Sequence, residues 1–149
     1  MSNNETDLQK FLHVVNEEDY FGNYIGIEVT DAHDGYARAK MVLDQRHFNP
    51  IGSVHGGCVF SLADTVAGAA TFSTGASCTT LSAHTVFLRA AMLHKSHVLY
   101  ADAIPLRNGR KIVVYKVVVT DDLKQEIAEF TIEFYKMGDI PKSLEEKLK

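Results

Sequence analysis

The sequence is poor in the residues that mark several large classes of protein. Only two of its 149 residues are cysteine, Cys58 and Cys78. That is no basis for the disulfide framework of a small secreted domain, and both are read as free thiols. No stretch approaches the roughly 18 consecutive apolar residues of a membrane-spanning helix, and the polar start Met1-Ser2-Asn3-Asn4-Glu5 is unlike a signal peptide. Cationic excess is missing: 15 Lys and Arg stand against 19 Asp and Glu, a net charge of −4. Nothing here forms an electrostatic footprint for nucleic acid or an anionic membrane. Internal repeats, linkers and low-complexity segments are also lacking. With 46% hydrophobic and 23% charged residues, the composition is that of an ordinary globule, expected to be one domain over 1–149, cytoplasmic, with neither nucleic acid nor membrane as partner.

What is there is organised around one stretch. Asn49 to Phe72 reads as a loop feeding a helix, expected over about 57–74, in which Ala, Leu, Val and Phe recur on almost every side. A helix of that kind belongs inside a fold, so something must wrap it. Asp64 is its only charged side chain; between His55 and His84 no other Asp, Glu, Lys, Arg or His occurs. Burying a lone carboxylate is costly, which points to a use. At 100° per residue, Ser61, Asp64, Thr65, Gly68 and Thr71 share a narrow polar stripe facing a cleft or a partner. At the start of the helix, Gly56-Gly57 offer free N–H groups and the positive end of the dipole to a developing oxyanion. A carboxylate and an oxyanion hole are parts of an acyl-transfer site. Gly57 and Asp64 are seven residues apart, about 10 Å along a helix, too far to touch one carbonyl. Either Asp64 acts remotely or the two groups come from antiparallel helices of different subunits, the reading favoured here.

Around this helix the pattern is mostly of strands. Leu8, Phe11, Leu12 and Val15 space out an amphipathic helix over about 5–19, capped by Thr6 or Asn4, as a lid over the sheet edge. Extended runs follow at 24–30 and 36–43, joined by Asp34-Gly35 as a hairpin signal. After Gly75 come strands at 77–90, 98–106, 110–120 and 126–135, with Asn108-Gly109 as a second hairpin signal, and a charged tail at 138–149. Long alternating strands and one buried helix give an α+β fold in which a curved antiparallel sheet is rolled round the helix.

Asn49, Gly52, His55-Gly56-Gly57 and Leu62-Ala63-Asp64, followed by Phe87-Leu88-Arg89-Ala90-Ala91, resemble the signature of the hotdog-fold acyl-CoA thioesterases of the phenylacetate-degradation type. The likeness runs from about residue 22 to 135. It implies a homodimer, with tetramers common on the fold, whose active sites lie between subunits and whose substrate is an acyl-CoA; no cofactor or metal is implied. Ala90 departs from the proline usual in similar sequences, leaving that strand end less rigid.

Under this resemblance Asp64 is a general base or a nucleophile, and Gly57 N–H an oxyanion donor; against these stand a structural carboxylate and glycines needed only for the turn. His55 orients the loop or contacts the thioester, or else satisfies loop carbonyls. Asn49 positions water or the acyl carbonyl, or forms an Asx turn before Pro50. Thr80, near Ser82, matches a hydroxyl position used in some relatives. Arg107, Gly109, Arg110 and Lys111 form a cationic hairpin suited to CoA phosphates, or a solvated turn. Cys58, in the first helical turn near His55, is weighed as a nucleophile and set aside for want of an orienting carboxylate. His94 and His97 point to opposite faces in extended chain, so no metal site is expected. Aromatic and medium-chain acyl groups both suit a pocket lined by residues such as Phe60, Val66 and Phe87. The competing functions are a non-hydrolytic acyl-CoA-binding or regulatory module and a hydratase on the same fold.

Overall fold

The computed structural model describes residues 6–149. Helix α1 (Asp7–Glu18) starts at Thr6, whose hydroxyl accepts from Gln9 N–H while Gln9 Oε1 accepts from Thr6 N–H, a reciprocal cap. Asn4, the alternative cap, and residue 5 of the expected helix lie outside the described residues. A short α2 (Tyr20–Ile25) occupies ground where a strand was expected from residue 24. Its aromatic run carries β propensity, but Asp19 accepts from Gly22 N–H at one end and Gly26, with φ +79°, closes the other. Caps at both ends of a six-residue helix outweigh propensity over so short a stretch.

Strands β1 (Ile27–His33) and β2 (Tyr36–Val42) are joined as expected, with Asp34 and Gly35 both at positive φ, 49° and 82°, the requirement of a type I′ turn. A 3₁₀ turn (Gln45–His47) leads through the Asn49 loop into α3 (Gly56–Phe72), which starts one residue and ends two residues earlier than expected. Then follow β3 (Ala76–Phe87), β4 (Val98–Asn108), β5 (Ile112–Asp121), β6 (Glu126–Asp139) and α4 (Lys142–Leu148). The second hairpin differs from expectation: β4 continues through Asn108, residues 109–111 turn, and Asn108 is not at positive φ. Gly109 is needed there for space, since a Cβ would lie 2.5 Å from Ile112 O. The expected tail at 138–149 begins as strand, Gly138 and Asp139 pairing with Ser77 and Ala76, and ends as α4. At the other end β3 stops at Phe87, short of the expected residue 90.

The six strands are antiparallel in the order β1-β2-β4-β5-β6-β3, and the sheet curls round α3. Leu62, Ala63, Val66, Ala67 and Ala70 of α3 are fully buried, as are Ala37, Ala39, Ala101 and Ala103 on the facing strands. Alanines on β2 and β4 let the helix approach the sheet closely, and larger side chains on β5 and β6, among them Tyr115 and Ile132, fill the remainder. Thr71 is not on a polar face as expected. It is fully buried, donates to Ala67 O and accepts from the Tyr115 hydroxyl at 3.0 Å, because the sheet closes over that end of the helix and the hydroxyl must find a partner inside.

Since Leu62 is enclosed on every side, Leu62→Ala is expected to cost about 2–5 kcal/mol of folding stability. Urea unfolding followed by circular dichroism measures it, and a loss below about 1 kcal/mol would contradict the packing described.

Candidate active site

Asp64 lies halfway along α3 and is half-exposed rather than buried. Its Oδ1 accepts from the Thr80 hydroxyl at 2.7 Å, and its Oδ2 has no hydrogen bond among the described residues. A stripe of small residues brings Asp64 into the open: Thr65, Gly68 and Ala69 share with it the wall of a cavity of about 600 Å³. The opposite walls are Cys78, Thr79 and Thr80 of β3, and Val14, Phe21 and Leu144 cover it from α1, α2 and α4. The cavity is thus mostly apolar, with Asp64, the hydroxyls of Thr65, Ser77, Thr79 and Thr80, and the acidic pair Glu18 and Asp19 as its polar lining. Of the side chains expected to line an acyl pocket, Val66 is fully buried and Phe60 packs edge-on against Phe130. Neither reaches this cavity, because both sit on the core side of α3. Phe87 lines a different one.

That second cavity, about 350 Å³, opens at the N-terminal end of α3 and is lined by Asn49, Gly56, Phe87, Leu88 and Arg89 among others. No residue is common to the two cavities. Within one chain, the carboxylate and the glycine loop therefore face separate spaces. The loop is tightly built. Asn49 Oδ1 accepts from the Ile51 and Ser53 N–H groups, each at 3.1 Å, and its Nδ2 donates to Ser53 Oγ, so its side chain forms the Asx turn. His47, missed in the sequence because a lone histidine carries no pattern, anchors this loop. Its ring is fully buried, Nε2 donates to Ile25 O at 2.6 Å, Nδ1 accepts from Asp44 N–H, and its carbonyl accepts from His55 N–H.

His55 caps α3. Its Nδ1 accepts from Gly57 N–H at 2.9 Å, so the amide nominated for an oxyanion is held by the imidazole and becomes available only if that ring turns aside. A side chain at position 57 would crowd the ring, its Cβ falling 3.0 Å from Nδ1. The Gly56 N–H makes no hydrogen bond among the described residues, and a Cβ there would meet the Phe87 ring at 3.4 Å. Phe87 thus lies directly against the start of the helix.

The cationic hairpin extends from the sheet end that carries Thr80. Thr80 pairs with Phe134, Phe134 with Val113, and Val113 with Asn108. Three inter-strand spacings separate Thr80 from Asn108, about 14 Å. Lys136 donates to Asn108 Oδ1 and Lys111 Nζ lies 5.5 Å from the Tyr135 ring centre. Lys136 is a further cation beside Arg107, Gly109, Arg110 and Lys111, hidden in the sequence by the 24 residues that intervene between Lys111 and Lys136.

The profile of the thioesterase superfamily matches residues 51–128, the stretch from the glycine loop through β6's start. The chain belongs to the thioesterase superfamily. A structure of this thioesterase-family fold, that of the Escherichia coli PaaI protein from the phenylacetic acid degradation operon, aligns with a TM-score of 0.81 at 25% identity, over 90% of this chain and 98% of that one. The sequence of acyl-coenzyme A thioesterase PaaI of Escherichia coli is 27% identical over 126 residues, 85% of this chain and 89% of its own length. The crystal structure of smu.793 from Streptococcus mutans, bound to acetyl CoA, aligns with a TM-score of 0.72 at 28% identity, over 76% and 90% of the two chains. A candidate esterase of Archaeoglobus fulgidus is 29% identical over 100 residues, 67% of this chain; the match spans 64% of that relative's length. The fold is the PaaI-like hotdog fold, and the family is one of thioester hydrolases.

Neither thiol of this thioesterase-family chain is activated. Burial pushes the Cys58 thiol up, despite its place in the first turn of α3. Burial also raises Cys78, with the Thr71 hydrogen bond opposing and the Asp64 charge adding. His55 bonds to Gly57 and not to Cys58. Because the folded pKa lies above the ordinary 9.0, thiolate at Cys58 is scarce at neutral pH and grows as pH rises through that region. Iodoacetamide alkylation of Cys58 is therefore expected to keep accelerating past pH 9, roughly tenfold per unit below the pKa; a plateau by pH 8 would show an activated thiol.

Proposed function

We propose that the protein is a cytoplasmic acyl-CoA thioesterase that hydrolyses an aromatic or medium-chain acyl-CoA to the free acid and CoA, working as a homodimer. The observation that carries this is the arrangement of α3. Its middle presents a carboxylate, held by one hydrogen bond from Thr80, to a mostly apolar cavity, while its N-terminal end places Gly56, the neighbour of Gly57, on the wall of another. Two antiparallel copies of such a helix bring the two halves into one site. There Asp64 takes a proton from water as it adds to the thioester carbonyl, or attacks that carbon itself to give an anhydride that water opens. Gly57 N–H, released by His55, receives the oxyanion; collapse breaks the C–S bond and CoA leaves as its thiol after taking up a proton. Asn49 holds the loop and Thr80 orients the carboxylate.

The hairpin fits the nucleotide end of CoA. Its separation of about 14 Å from Thr80 is commensurate with the pantetheine arm between thioester and pyrophosphate, and Arg107, Arg110 and Lys111 gather at its tip beside Gly109. A homotetramer is favoured by a second apolar surface, where Tyr20, Phe21 and Tyr24 of α2 are 77%, 59% and 74% exposed. The aromatic lining by Phe21, Phe72 and Phe134 favours a ring-bearing acyl group, in keeping with a phenylacetate-type substrate.

Free-thiol release from benzoyl-CoA and hexanoyl-CoA tests the activity directly. Binding of both without release would leave the non-hydrolytic module as the better reading. Asp64→Asn is expected to preserve the oligomer and lower kcat at least about 100-fold; retention of a tenth of the activity would remove Asp64 from its role. Arg107→Ala combined with Arg110→Ala is expected to raise KM for CoA substrates, more at low salt than at high, with kcat nearly intact. An acyl-N-acetylcysteamine, which lacks the nucleotide, should not respond, and an equal loss on both substrates would make the hairpin a structural turn.

A further inference from the structure

Glycine costs more in a helix interior than any residue except proline, and at Gly68 nothing in the fold demands it. Its φ is not positive, and a Cβ built there would meet no atom within 4 Å. What the missing side chain supplies is room. Gly68 stands one turn beyond Asp64 on the wall of the cavity of about 600 Å³, and its bareness makes that cavity a slot running along α3 from Asp64 to Phe72. The slot has a definite length. From Asp64 to Phe72 the helix rises about 12 Å, and the facing wall on β3, from Thr80 back to Ala76, spans about 13 Å.

The far end is closed by the C-terminal segment. Asp139 pairs with Ala76, the first residue of β3, so Pro141 and Leu144 follow at the Phe72 end, and both line the slot. α4 is lightly held. It spans seven residues, starts at Pro141 without a side-chain cap and has no buried residue, and a helix so short does not stand alone in water. Leu144 and Leu148 are its only half-buried residues, and the Lys147 ammonium donates to Glu18 of α1. That contact also engages a charge beside the slot. With Glu18 on Lys147 and Asp19 accepting from Gly22 N–H, neither acid stands bare where an alkyl chain would pass. Leu144 is the apolar side chain that α4 brings to the end of the slot.

We propose that Leu144 is the stop that sets the length of acyl chain this protein accepts. A thioester carbonyl beside Asp64 directs its chain over Gly68 toward Phe72. With C–C bonds of about 1.5 Å, an extended chain advances about 1.3 Å per carbon, so about nine or ten carbons fill the slot. Longer chains meet Leu144. The inference rests on the thioesterase reading above and narrows its acyl group: hexanoyl and decanoyl chains fit, tetradecanoyl does not, and a ring-bearing group occupies only the near part of the slot.

Steady-state hydrolysis of hexanoyl-, decanoyl- and tetradecanoyl-CoA tests it. In the wild type kcat/KM should fall at least about tenfold from decanoyl to tetradecanoyl, the scale on which a pocket rejects even one excess methylene. Leu144→Ala recedes the stop and should raise the tetradecanoyl-to-hexanoyl ratio at least about tenfold. Leu144→Phe advances it and should lower the decanoyl-to-hexanoyl ratio by a similar factor. Opposite shifts mark a stop, whereas detachment of α4 would move both variants the same way. Gly68→Leu, which suits the helix, should melt no lower than the wild type and lose decanoyl-CoA turnover at least about tenfold more than acetyl-CoA turnover. No shift, or shifts in one direction, in the Leu144 pair overturns the proposal, as does an equal loss on all chains in Gly68→Leu. If the wild type binds the series without cleaving it, the hydrolytic reading falls alone, and the same ratios taken as Kd by calorimetry decide the stop. A protein that binds none of the three overturns both.

Discussion

A helix that is apolar almost all the way round cannot meet water, and the fold follows from the need to enclose α3. Its buried residues run along both flanks, from Val59 to Thr71, so a single flat layer would not suffice and the sheet must curl. The curl is made possible by Ala37, Ala39, Ala101 and Ala103, which are completely buried beneath the helix and let it sink toward β2 and β4. Only one lane of α3 stays free of the sheet. It is the lane of small residues, Thr65 and Gly68, in which Asp64 stands. The position that stability leaves over is the position that carries the charge.

The same constraint divides the site. A straight helix holds its N-terminal amides and its mid-point carboxylate rigidly apart, and the protein opens a separate cavity at each place. Neither cavity is lined by both Asp64 and a residue of the glycine loop. His55 occupying Gly57 N–H fits an unengaged half-site: the amide is satisfied by a neighbouring imidazole until a better acceptor arrives, which costs less than leaving a donor unpaired.

Much of this was legible in the sequence because it rests on periodicity. Near-continuous apolarity from Val59 onward marked the central helix, clean alternation marked β6, and Asp34-Gly35 marked its turn. Asp64 stood out as the one charge in a long neutral stretch. Features set by long-range contacts were not legible. Asp19 and Gly26 make a short helix from residues with strand propensity; Asn108-Gly109 yields a longer turn because β4 carries a bulge between Pro105 and Arg107 that shifts its register; Thr71 turns inward because Tyr115 waits there. The site was readable in its residue types and not in their engagement. Sequence proposed Asn49 and Gly57, but only coordinates show both already hydrogen-bonded within the loop, and nothing local pointed to His47 or Lys136.

The central claim is that each active site is shared by two chains, and subunit complementation tests it most directly. Asp64→Asn disables one half; Gly57→Pro removes the amide from the other, in a first helical turn where the backbone accepts proline once the His55 ring, which a side chain at 57 would crowd, turns aside. Each variant alone should be nearly inactive. After unfolding and refolding in equal mixture, half the dimers are mixed and each has one site with both halves intact, so about a quarter of wild-type activity should return. No recovery in a mixture shown to contain mixed dimers would mean that each site belongs to a single chain, and would contradict the account.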